Sequence, residues 1–278
     1  MKQLLSFCCL YFFAVTLTYS QNKWFINGSL GPSNYVGDLQ DKQLAFRGMK
    51  LNGSVGATYQ FTPHFSTNLS FSLLKIGASD SKNGPKWVYR NLSFESMLFE
   101  TAVTGEFDLI NIEEADDGNL INENPRQFTP YLFAGIGLFH FNPYTYDQSG
   151  KQVYLQPLHT EDQNKAYSLW QVCLPFGIGA KYSVTNNFRI SAEFNLRKTF
   201  TDYLDDVSQH HYADSAVLLQ KYGPESASLS YRADEIPNTP YKFYGYRGNP
   251  SRKDDYYTIV IKATIQLFTH NPKFYYPH

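Results

Sequence analysis

The sequence has few cysteines. It contains three, and two of them, Cys8 and Cys9, lie within its first twenty residues. If residues 1–20 are removed on export, Cys173 remains alone and no internal disulfide can form. This excludes the disulfide framework that holds many small secreted domains together. The fold must then depend on an extensive hydrogen-bonded framework.

Long apolar runs are missing after the N-terminus. Lys2 precedes the uncharged apolar stretch Leu4–Leu17, and Thr18–Ser20 forms a small-residue cleavage site before Gln21. The stretch is shorter than the roughly 20 residues that a membrane-spanning helix needs. We therefore interpret residues 1–20 as a cleaved signal peptide, with a retained N-terminal anchor as the alternative. The absence of a later run excludes a helical membrane protein.

Neither sign of charge dominates. The chain has 24 Lys and Arg against 25 Asp and Glu, which gives a formal net charge of −1. This balance does not suggest the clustered basic surface that nucleic acids bind. Residues 21–278 contain no linker, low-complexity tract or change in composition, which favours one domain. The aromatic content of 17%, with 22 Tyr and 22 Phe, is the unusual feature.

The sequence is rich in period-2 alternation of apolar and polar residues, which is typical of β-strands with two unlike faces. The pattern is clearest over Phe188–Lys198 and Tyr256–Phe268. Six further segments show it less regularly: Trp24–Gly31, Met49–Phe61, Phe65–Ala78, Asn91–Leu109, Thr129–Asn142 and Tyr167–Val184. Within the fourth, the irregular stretch between Phe94 and Glu100 predicts a β-bulge.

These segments predict an all-β fold: an eight-stranded antiparallel up-and-down transmembrane β-barrel with long extracellular loops. An even strand number is usual for single-chain bacterial barrels. Tight turns at Thr62–His64 and Thr185–Asn187 alternate with longer connections at 32–48, 79–90, 143–166 and 201–255. Short turns belong on the periplasmic side, so both termini are predicted to be periplasmic and the barrel to lie in the cell outer membrane.

The polar faces of the predicted strands would fill the barrel interior, which in an eight-stranded barrel is only wide enough for side chains. Six charged residues fall on predicted inward positions: Glu100, Lys181, Arg189, Glu193, Arg197 and Lys262. Opposite charges would pair there, because a buried unpaired charge costs several kcal/mol. Inward glycines at Gly135, Gly137, Gly177 and Gly179 would give the long side chains room. We expect a plugged barrel without a conducting pore.

A second cluster is predicted at the outer rim. Asp202, Asp205 and Asp206 directly follow the seventh strand, and Arg247 and Asp254 precede the eighth. Hairpin geometry brings these two chain ends together. Rim salt bridges and loop-capping turns are one interpretation. A calcium site is the alternative, because clustered carboxylates and carbonyls suit that cation.

One predicted periplasmic connection is long and acidic. The segment 110–127 carries Glu113, Glu114, Asp116 and Asp117. Together with the aromatic tail Asn271–His278, it is a candidate docking surface for a periplasmic protein. An ordinary solvated loop is the alternative interpretation.

Catalytic and metal motifs are weak. His210 and His211 with Asp214 could bind a metal ion, but no second ligand pair at diagnostic spacing accompanies them. His64 and Ser66 would share one strand face, as a His-activated nucleophile requires. They fall beside a periplasmic turn and have no carboxylate to orient the histidine. We therefore predict no enzyme activity, no catalytic residues, no cofactor and no resident metal.

Five short segments, in order along the chain, carry a family resemblance: 31–39 (GPSNYVGDL), 90–94 (RNLSF), 130–137 (PYLFAGIG), 202–208 (DYLDDVS) and 247–249 (RGN). On these segments the chain resembles the PorG-like outer-membrane β-barrel family of the type IX secretion system. The resemblance implies a Gram-negative outer-membrane barrel that contacts outer-membrane lipid. It also implies that the barrel anchors periplasmic ring proteins of the secretion and gliding machinery, without catalytic residues.

A different class of function is a surface adhesin or ligand-binding barrel that acts through its extracellular loops. The long 201–255 connection is rich in aromatic residues, including Tyr241, Phe243, Tyr244 and Tyr246. Aromatic residues anchor binding interfaces, and they also lie at the membrane interface of barrels in general. Nucleic-acid and small-molecule substrates are not expected in either case.

Overall fold

The computed structural model describes residues 24–40, 48–83, 85–109, 112–113, 127–185, 187–237 and 245–267. The predicted signal peptide and the tail Asn271–His278 lie outside the described residues. Within the described ranges, no helix has the length and apolar character needed to cross a membrane.

Eight long strands form one closed sheet. Their bounds are β1 Trp24–Val36, β2 Lys50–Gln60, β3 Phe65–Ser79, β4 Ser93–Asp108, β5 Gln127–His140, β6 Trp170–Thr185, β7 Phe188–Thr199 and β8 Asp255–Gln266. Each strand pairs antiparallel with its chain neighbours, and β8 closes the sheet by pairing with β1, as at Thr264 and Asn27. The prediction of an eight-stranded antiparallel up-and-down β-barrel is confirmed.

Short helices, turns and a small hairpin lie at the end of the barrel that carries the long connections. They are α1 Pro85–Val88, α2 Ser215–Tyr222, α3 Pro224–Ser230, the 3-10 turns Asp80–Lys82, Gln156–Leu158 and Ala233–Glu235, and a small hairpin of Tyr144–Tyr146 with Gln152–Tyr154. At the opposite end, Ile112–Glu113 adds a two-residue strand to β5. Following the rule that long loops are extracellular, we call the first end the outer end.

The two faces of the barrel wall alternate as the sequence indicates. On β2, Leu51 and Val55 point outward and are 69% and 64% exposed, whereas Asn52 and Thr58 point inward and are buried. Tyr257 is a departure from the pattern, because it lies on the outward face of β8 and yet is only 1% exposed. Its hydroxyl accepts a hydrogen bond from Asn34 Nδ2 at 3.3 Å, so this tyrosine belongs to the packed outer end.

The bulge predicted between Phe94 and Glu100 is wrong. The pairing of β4 with β3 keeps one register from Ser93 to Phe107. The irregular sequence pattern has another cause, which is a change in what the inward face contacts. Toward the outer end, inward positions such as Phe94 and Leu98 are apolar and fully buried, so both faces of the strand look hydrophobic in sequence.

Strand β1 continues five residues past its predicted end at Gly31. The Gly-Pro pair reads as a strand terminator. In the structure, however, Gly31 lies so close to β8 that a Cβ atom there would be 1.9 Å from the carbonyl oxygen of Ile259. Glycine is therefore required by close backbone approach. The extension carries Tyr35 up to the outer end of the barrel.

The buried interior has two layers. Toward the inner end, the lumen is polar and holds the charged side chains of β4, β6, β7 and β8. Toward the outer end lies an apolar cluster that joins strand residues to loop residues. Its members include Tyr35, Ile76, Leu98, Phe139, Tyr256, Val153, Leu204, Val207 and Leu229. The long loops thus cover the barrel and contribute side chains to its core.

Candidate functional site

The polar lumen is built around Glu106 on β4. Lys262 Nζ lies 3.0 Å from Glu106 Oε1, and Lys181 Nζ lies 3.0 Å from Glu106 Oε2. Lys181 also reaches Asp108 Oδ1 at 2.7 Å, and Lys262 pairs with Glu193. Every member of this group is largely buried. Shared ion pairs of this kind offset the cost of removing the charges from water.

A second lumen group lies nearer the outer end. The Arg197 guanidinium contacts Glu100 with Nε and Nη2, both at 3.2 Å. Tyr256 Oη donates to Glu100 Oε2 at 2.5 Å, and Arg197 Nη1 donates to Thr258 Oγ1 at 2.6 Å. Cys173 is buried beside them, with Sγ 3.8 Å from Glu100 Oε2. The thiol therefore sits in the core of the barrel.

Arg189 occupies a different position from the other predicted lumen residues. Its guanidinium lies over the ring of Phe25, 4.7 Å from the centroid, near the inner end of the barrel. Sequence reasoning missed Glu106 and Asp108, although counting in twos from the inward Glu100 reaches both residues. The structure thus brings five of the six predicted residues into ion pairs and supplies two further carboxylates.

Tyr131 shows how the inward glycines make room for the network. It faces Gly179 across the β5–β6 pair, and a Cβ atom on Gly179 would lie 2.5 Å from the tyrosine ring. The ring therefore lies flat over the glycine, and its hydroxyl donates to Glu193 on β7. Lys181 Nζ lies 4.2 Å from the same ring centroid.

The charged layer of the lumen contains small polar cavities. Two polar cavities of about 40 and 20 Å³ lie among the charged side chains. Each is large enough for one or two water molecules. The charged side chains thus fill most of this layer, which is the arrangement expected of a plugged barrel.

Above the apolar cluster, a buried arginine ties three connections together. Arg90 Nε and Nη2 donate to the two carboxylate oxygens of Asp80 at 2.8 and 2.7 Å. Its remaining donors reach the carbonyl oxygens of Asp38 at 2.8 Å and Arg247 at 2.7 Å. A fork of five N–H groups suits this task, because it can satisfy a carboxylate and two carbonyls at once.

Arg247 is the second buried arginine of this region. Its Nη2 donates to Thr160 Oγ1 at 2.8 Å, and Nε lies 3.6 Å from Glu161 Oε1. Asp206 accepts from Thr160 Oγ1 at 2.5 Å and from Tyr167 Oη at 2.8 Å. We use the term outer cap for the loop residues 37–40, 80–92, 155–167, 200–210 and 245–254 that these contacts connect.

Tyr35 rises into the outer cap from β1 and contacts two buried carboxylates. Its hydroxyl lies 2.5 Å from Asp205 Oδ2 and 3.0 Å from Asp254 Oδ1. Asp254 Oδ2 accepts from Leu204 N, and Asp205 Oδ1 accepts from Val207 N, both at 2.9 Å. One hydroxyl has one proton, so it can donate to only one of the two acids. The other contact requires a proton on a carboxyl group.

The electrostatics of the cap agree with that count. Burial, followed by the neighbouring Asp38 carboxylate, raises the pKa of Asp205 well above its usual range. Burial and the charge of Asp205 do the same to the pKa of Asp254. Burial raises the pKa of Asp202 and of Asp206 to about 6. The cap therefore balances part of its negative charge by keeping protons.

The five predicted rim residues do come together, but as a buried polar core of the outer cap. Asp202 accepts from Ser208 Oγ at 2.7 Å and lies 3.9 Å from Lys253 Nζ. Among the residues that the structure describes, no group of three or more His, Cys, Asp or Glu side chains is placed to hold a metal ion. The rim contacts match the salt-bridge and turn-capping interpretation.

The remaining candidate motifs are separated in the structure. His64 Nδ1 lies 3.2 Å from the carbonyl oxygen of Asp108, whereas Ser66 Oγ points into the lumen and lies 3.5 Å from Glu106 Oε2. Asp214 caps α2 by accepting from Ala216 N at 2.8 Å. The His64–Ser66 and His210–Asp214 patterns thus have local structural explanations.

The acidic inner segment is described only in part. Glu113 lies in the two-residue strand that pairs with β5 at Gln127. Glu114, Asp116 and Asp117 lie outside the described residues, and so do the loop aromatics Tyr241, Phe243 and Tyr244. The periplasmic docking candidate stays a prediction.

The strand topology places the chain in the class of closed eight-stranded antiparallel up-and-down β-barrels. Within that class, the sequence matches the family described as "Domain of unknown function (DUF6089)" over residues 2–221. Because the match covers most of the chain, the protein belongs to this family. No curated protein sequence matches it.

Several solved outer-membrane barrels are similar in structure at low sequence identity. Neisserial surface protein A is 9% identical, with 88% of this chain and 97% of that chain covered and a TM-score of 0.43. Ail of Yersinia pestis is 11% identical, with 89% and 100% covered and a TM-score of 0.41. The N-terminal β-barrel domain of Pseudomonas aeruginosa OprF is 11% identical, with 87% and 97% covered and a TM-score of 0.35. The fold assignment rests on the strand pairing of this chain.

Proposed function

We propose that the protein is a non-enzymatic barrel of the bacterial outer membrane that serves as a structural anchor. The observation that carries this proposal is the contrast between its two faces. The outward face exposes large apolar side chains such as Leu51, Val55, Phe99, Trp170 and Ile178, as lipid contact requires. The inward face is filled by paired charges, which suits a scaffold better than a conduit.

We further propose that the anchored partners are periplasmic ring proteins of the type IX secretion and gliding machinery. This part rests on the resemblance to PorG-like barrels. The acidic 113–117 stretch and the tail Asn271–His278 are the proposed contacts, since Glu113 pairs with β5 at the inner end and β8 ends there at Gln266. A structural anchor needs a stable barrel and exposed inner segments, and it needs no reactive side chain.

A clean deletion of the gene tests the secretion role. We expect loss of secretion of type IX cargo and loss of gliding, both restored by the wild-type chain. The matched variant replaces Glu113, Glu114, Asp116 and Asp117 with Gln and Asn, which changes charge at the inner end and leaves the barrel wall intact. If the deletion strain secretes and glides normally, the machinery assignment is wrong. If the deletion strain loses secretion and gliding but the variant without the acidic side chains keeps both, the docking surface lies elsewhere.

A second candidate function is ligand binding at the outer end. The small hairpin at the outer end and the loop before β8 expose Tyr146, Tyr154 and Tyr246. Exposed tyrosines are common in binding surfaces. Replacing all three with Ser should abolish adhesion of expressing cells to their surface ligand while secretion persists. Loss of secretion with unchanged adhesion would support the anchor and reject this alternative.

A further inference from the structure

An ion triad lies at the outer end of the barrel around Glu95, which like Lys75 occupies an outward strand position, whereas Lys50 is the first residue of β2. The Glu95 carboxylate on β4 pairs with Lys50 Nζ through Oε1 and lies 2.7 Å from Lys75 Nζ through Oε2. Tyr144 of the small hairpin donates its hydroxyl to Glu95 Oε2 at 3.0 Å. The side chains are partly exposed, at 26% for Lys50, 32% for Lys75 and 24% for Glu95.

The triad carries excess positive charge. Two ammonium groups share one carboxylate, so the group has a net charge of +1 when all three are ionised. Lys75 Nζ also lies 5.8 Å from the centroid of the Tyr144 ring, a cation–π distance that holds the ammonium on the barrel wall. A lysine supplies three donors, and a single carboxylate leaves some of them available.

The position of the triad on the barrel wall determines which part of a membrane lipid it can contact. On the same outward face, Leu73 lies two residues below Lys75, and Met97 and Phe99 lie below Glu95 on β4; all three are exposed. Two residues correspond to about 7 Å along a strand. If the barrel is in the membrane as proposed above, the apolar residues contact acyl chains and the ammonium groups lie at the height of the outer-leaflet headgroups.

We propose that Lys50 and Lys75 bind the phosphate monoester of an outer-leaflet lipid, with Tyr144 holding the Lys75 ammonium in place and Glu95 competing with the phosphate for the lysine donors. The phosphate would take the free donors of both lysines and bring the charge of the site close to neutral. The acyl chains of the lipid would lie over Leu73, Met97 and Phe99. The lipid thereby fixes this side of the barrel in the leaflet. The inference rests on the proposed membrane location.

The barrel supplies a matched control on its opposite wall. Lys198 Nζ on β7 lies 2.8 Å from Asp255 Oδ2 on β8, also on the outward face at the outer end. This pair has one ammonium for one carboxylate and therefore a net charge of zero. Its lysine is more exposed, at 49% of the side chain. A general attraction of lipid to exposed lysines would act at least as strongly there.

The test uses the whole mature protein in a neutral detergent, with bound lipid measured by native mass spectrometry. The probes are phosphatidic acid, diacylglycerol with the same chains, and inorganic phosphate as a competitor. We expect selective retention of phosphatidic acid. Lys50→Gln with Lys75→Gln should weaken it about tenfold or more, since each lysine near a membrane surface contributes roughly a fivefold effect. Glu95→Gln should strengthen it, because a competing anion is removed.

Lys198→Gln should leave phosphatidic acid retention unchanged. The proposal is overturned if the double lysine variant retains the lipid like wild type, if Lys198→Gln loses as much, or if Glu95→Gln also weakens binding. It is equally overturned if millimolar inorganic phosphate displaces the lipid completely, because a soluble anion would then be the ligand. Heat-modifiable migration in gels reports whether the barrel is folded, and membrane fractionation of expressing cells reports its location, so a failed lipid site is distinguishable from a failed membrane assignment.

Discussion

The lumen and the outer cap bury the same kinds of charged side chains and balance their charges in different ways. In the lumen, four acids meet four bases: Glu100, Glu106, Asp108 and Glu193 lie among Lys181, Arg189, Arg197 and Lys262. In the outer cap, the carboxylates around Tyr35 and Arg247 outnumber the buried guanidinium groups. The lumen is neutral through ion pairing, whereas the cap approaches neutrality by retaining protons.

This difference follows from how the backbone of each region is built. Strand positions are fixed by the barrel register, so a cation on β6 or β8 faces an acid on β4 with little freedom to move. Pairing is then fixed by the geometry of the barrel wall. The cap is assembled from loops whose acids also cap turns and accept backbone hydrogen bonds. Its stability therefore depends on protonation.

The largest effect is expected from breaking the lumen balance. Glu106→Gln would leave two buried lysines without their shared carboxylate, and glutamine cannot neutralise either ammonium. We expect a loss of about 3 kcal/mol in the free energy of unfolding. Urea unfolding of the refolded barrel in detergent, followed by tryptophan fluorescence, measures it.

A compensating variant sharpens this prediction. Glu106→Gln leaves the lumen with one excess positive charge, and adding Lys262→Met removes it, so part of the lost stability should return. If Glu106→Gln unfolds within about 1 kcal/mol of wild type, buried ion pairing does not stabilise the lumen and the comparison with the cap fails.

The next effect concerns the cap alone. Arg90→Met would leave Asp80 buried without its partner and would free the carbonyl oxygens of Asp38 and Arg247. We expect the free energy of opening the cap to fall by about 2 kcal/mol, because a buried polar group left without its partner costs about 1–3 kcal/mol. Hydrogen exchange should accelerate over residues 80–92 and 245–248. The backbone amides of β4 and β8 at the level of the lumen network should stay protected from exchange. A loss of protection throughout the barrel would contradict the view that the cap opens independently of the lumen.

The barrel could be predicted from the sequence because a strand wall repeats one simple pattern. Period-2 alternation fixes which residues face inward, and loop length fixes the orientation. Even the lumen network follows from that count, and Glu106 and Asp108 were reachable from Glu100 by the same step of two. The predicted bulge was wrong because Phe94 and Leu98 face an apolar layer that no local pattern reveals.

The cap could not be derived in the same way. Arg90, Tyr35 and Asp254 are far apart in the chain, and irregular loops bring them together. Sequence reasoning placed Asp202, Asp205, Asp206, Arg247 and Asp254 at one rim because two strand ends had to meet there. It gave no sign that they would be buried or that Tyr35 would reach them, since that required β1 to continue past Gly31.

The smallest predicted effect is the pH dependence of cap stability, which tests whether the cap retains a proton. Because the pKa values of Asp205 and Asp254 are raised in the folded protein, their contribution to stability is present at low pH and is lost as pH rises toward those raised values. Asp202 and Asp206, with pKa values of about 6, act in the same direction between about pH 4 and pH 6. We expect hydrogen exchange over residues 200–208, corrected for intrinsic rates, to show stronger protection at pH 5 than at pH 8.

Asp254→Asn should remove much of this dependence. The amide can donate to Tyr35 Oη in place of the retained proton, while its oxygen still accepts from Leu204 N. The variant should therefore stabilise the cap at pH 8 by about 1 kcal/mol, the usual net contribution of one hydrogen bond. Asp80→Asn is the control, because Asp80 is fully ion-paired with Arg90 and its loss should destabilise the cap at both pH values. If Asp254→Asn weakens the cap at pH 8, Asp254 is ionised there, and the cap is balanced by pairing like the lumen.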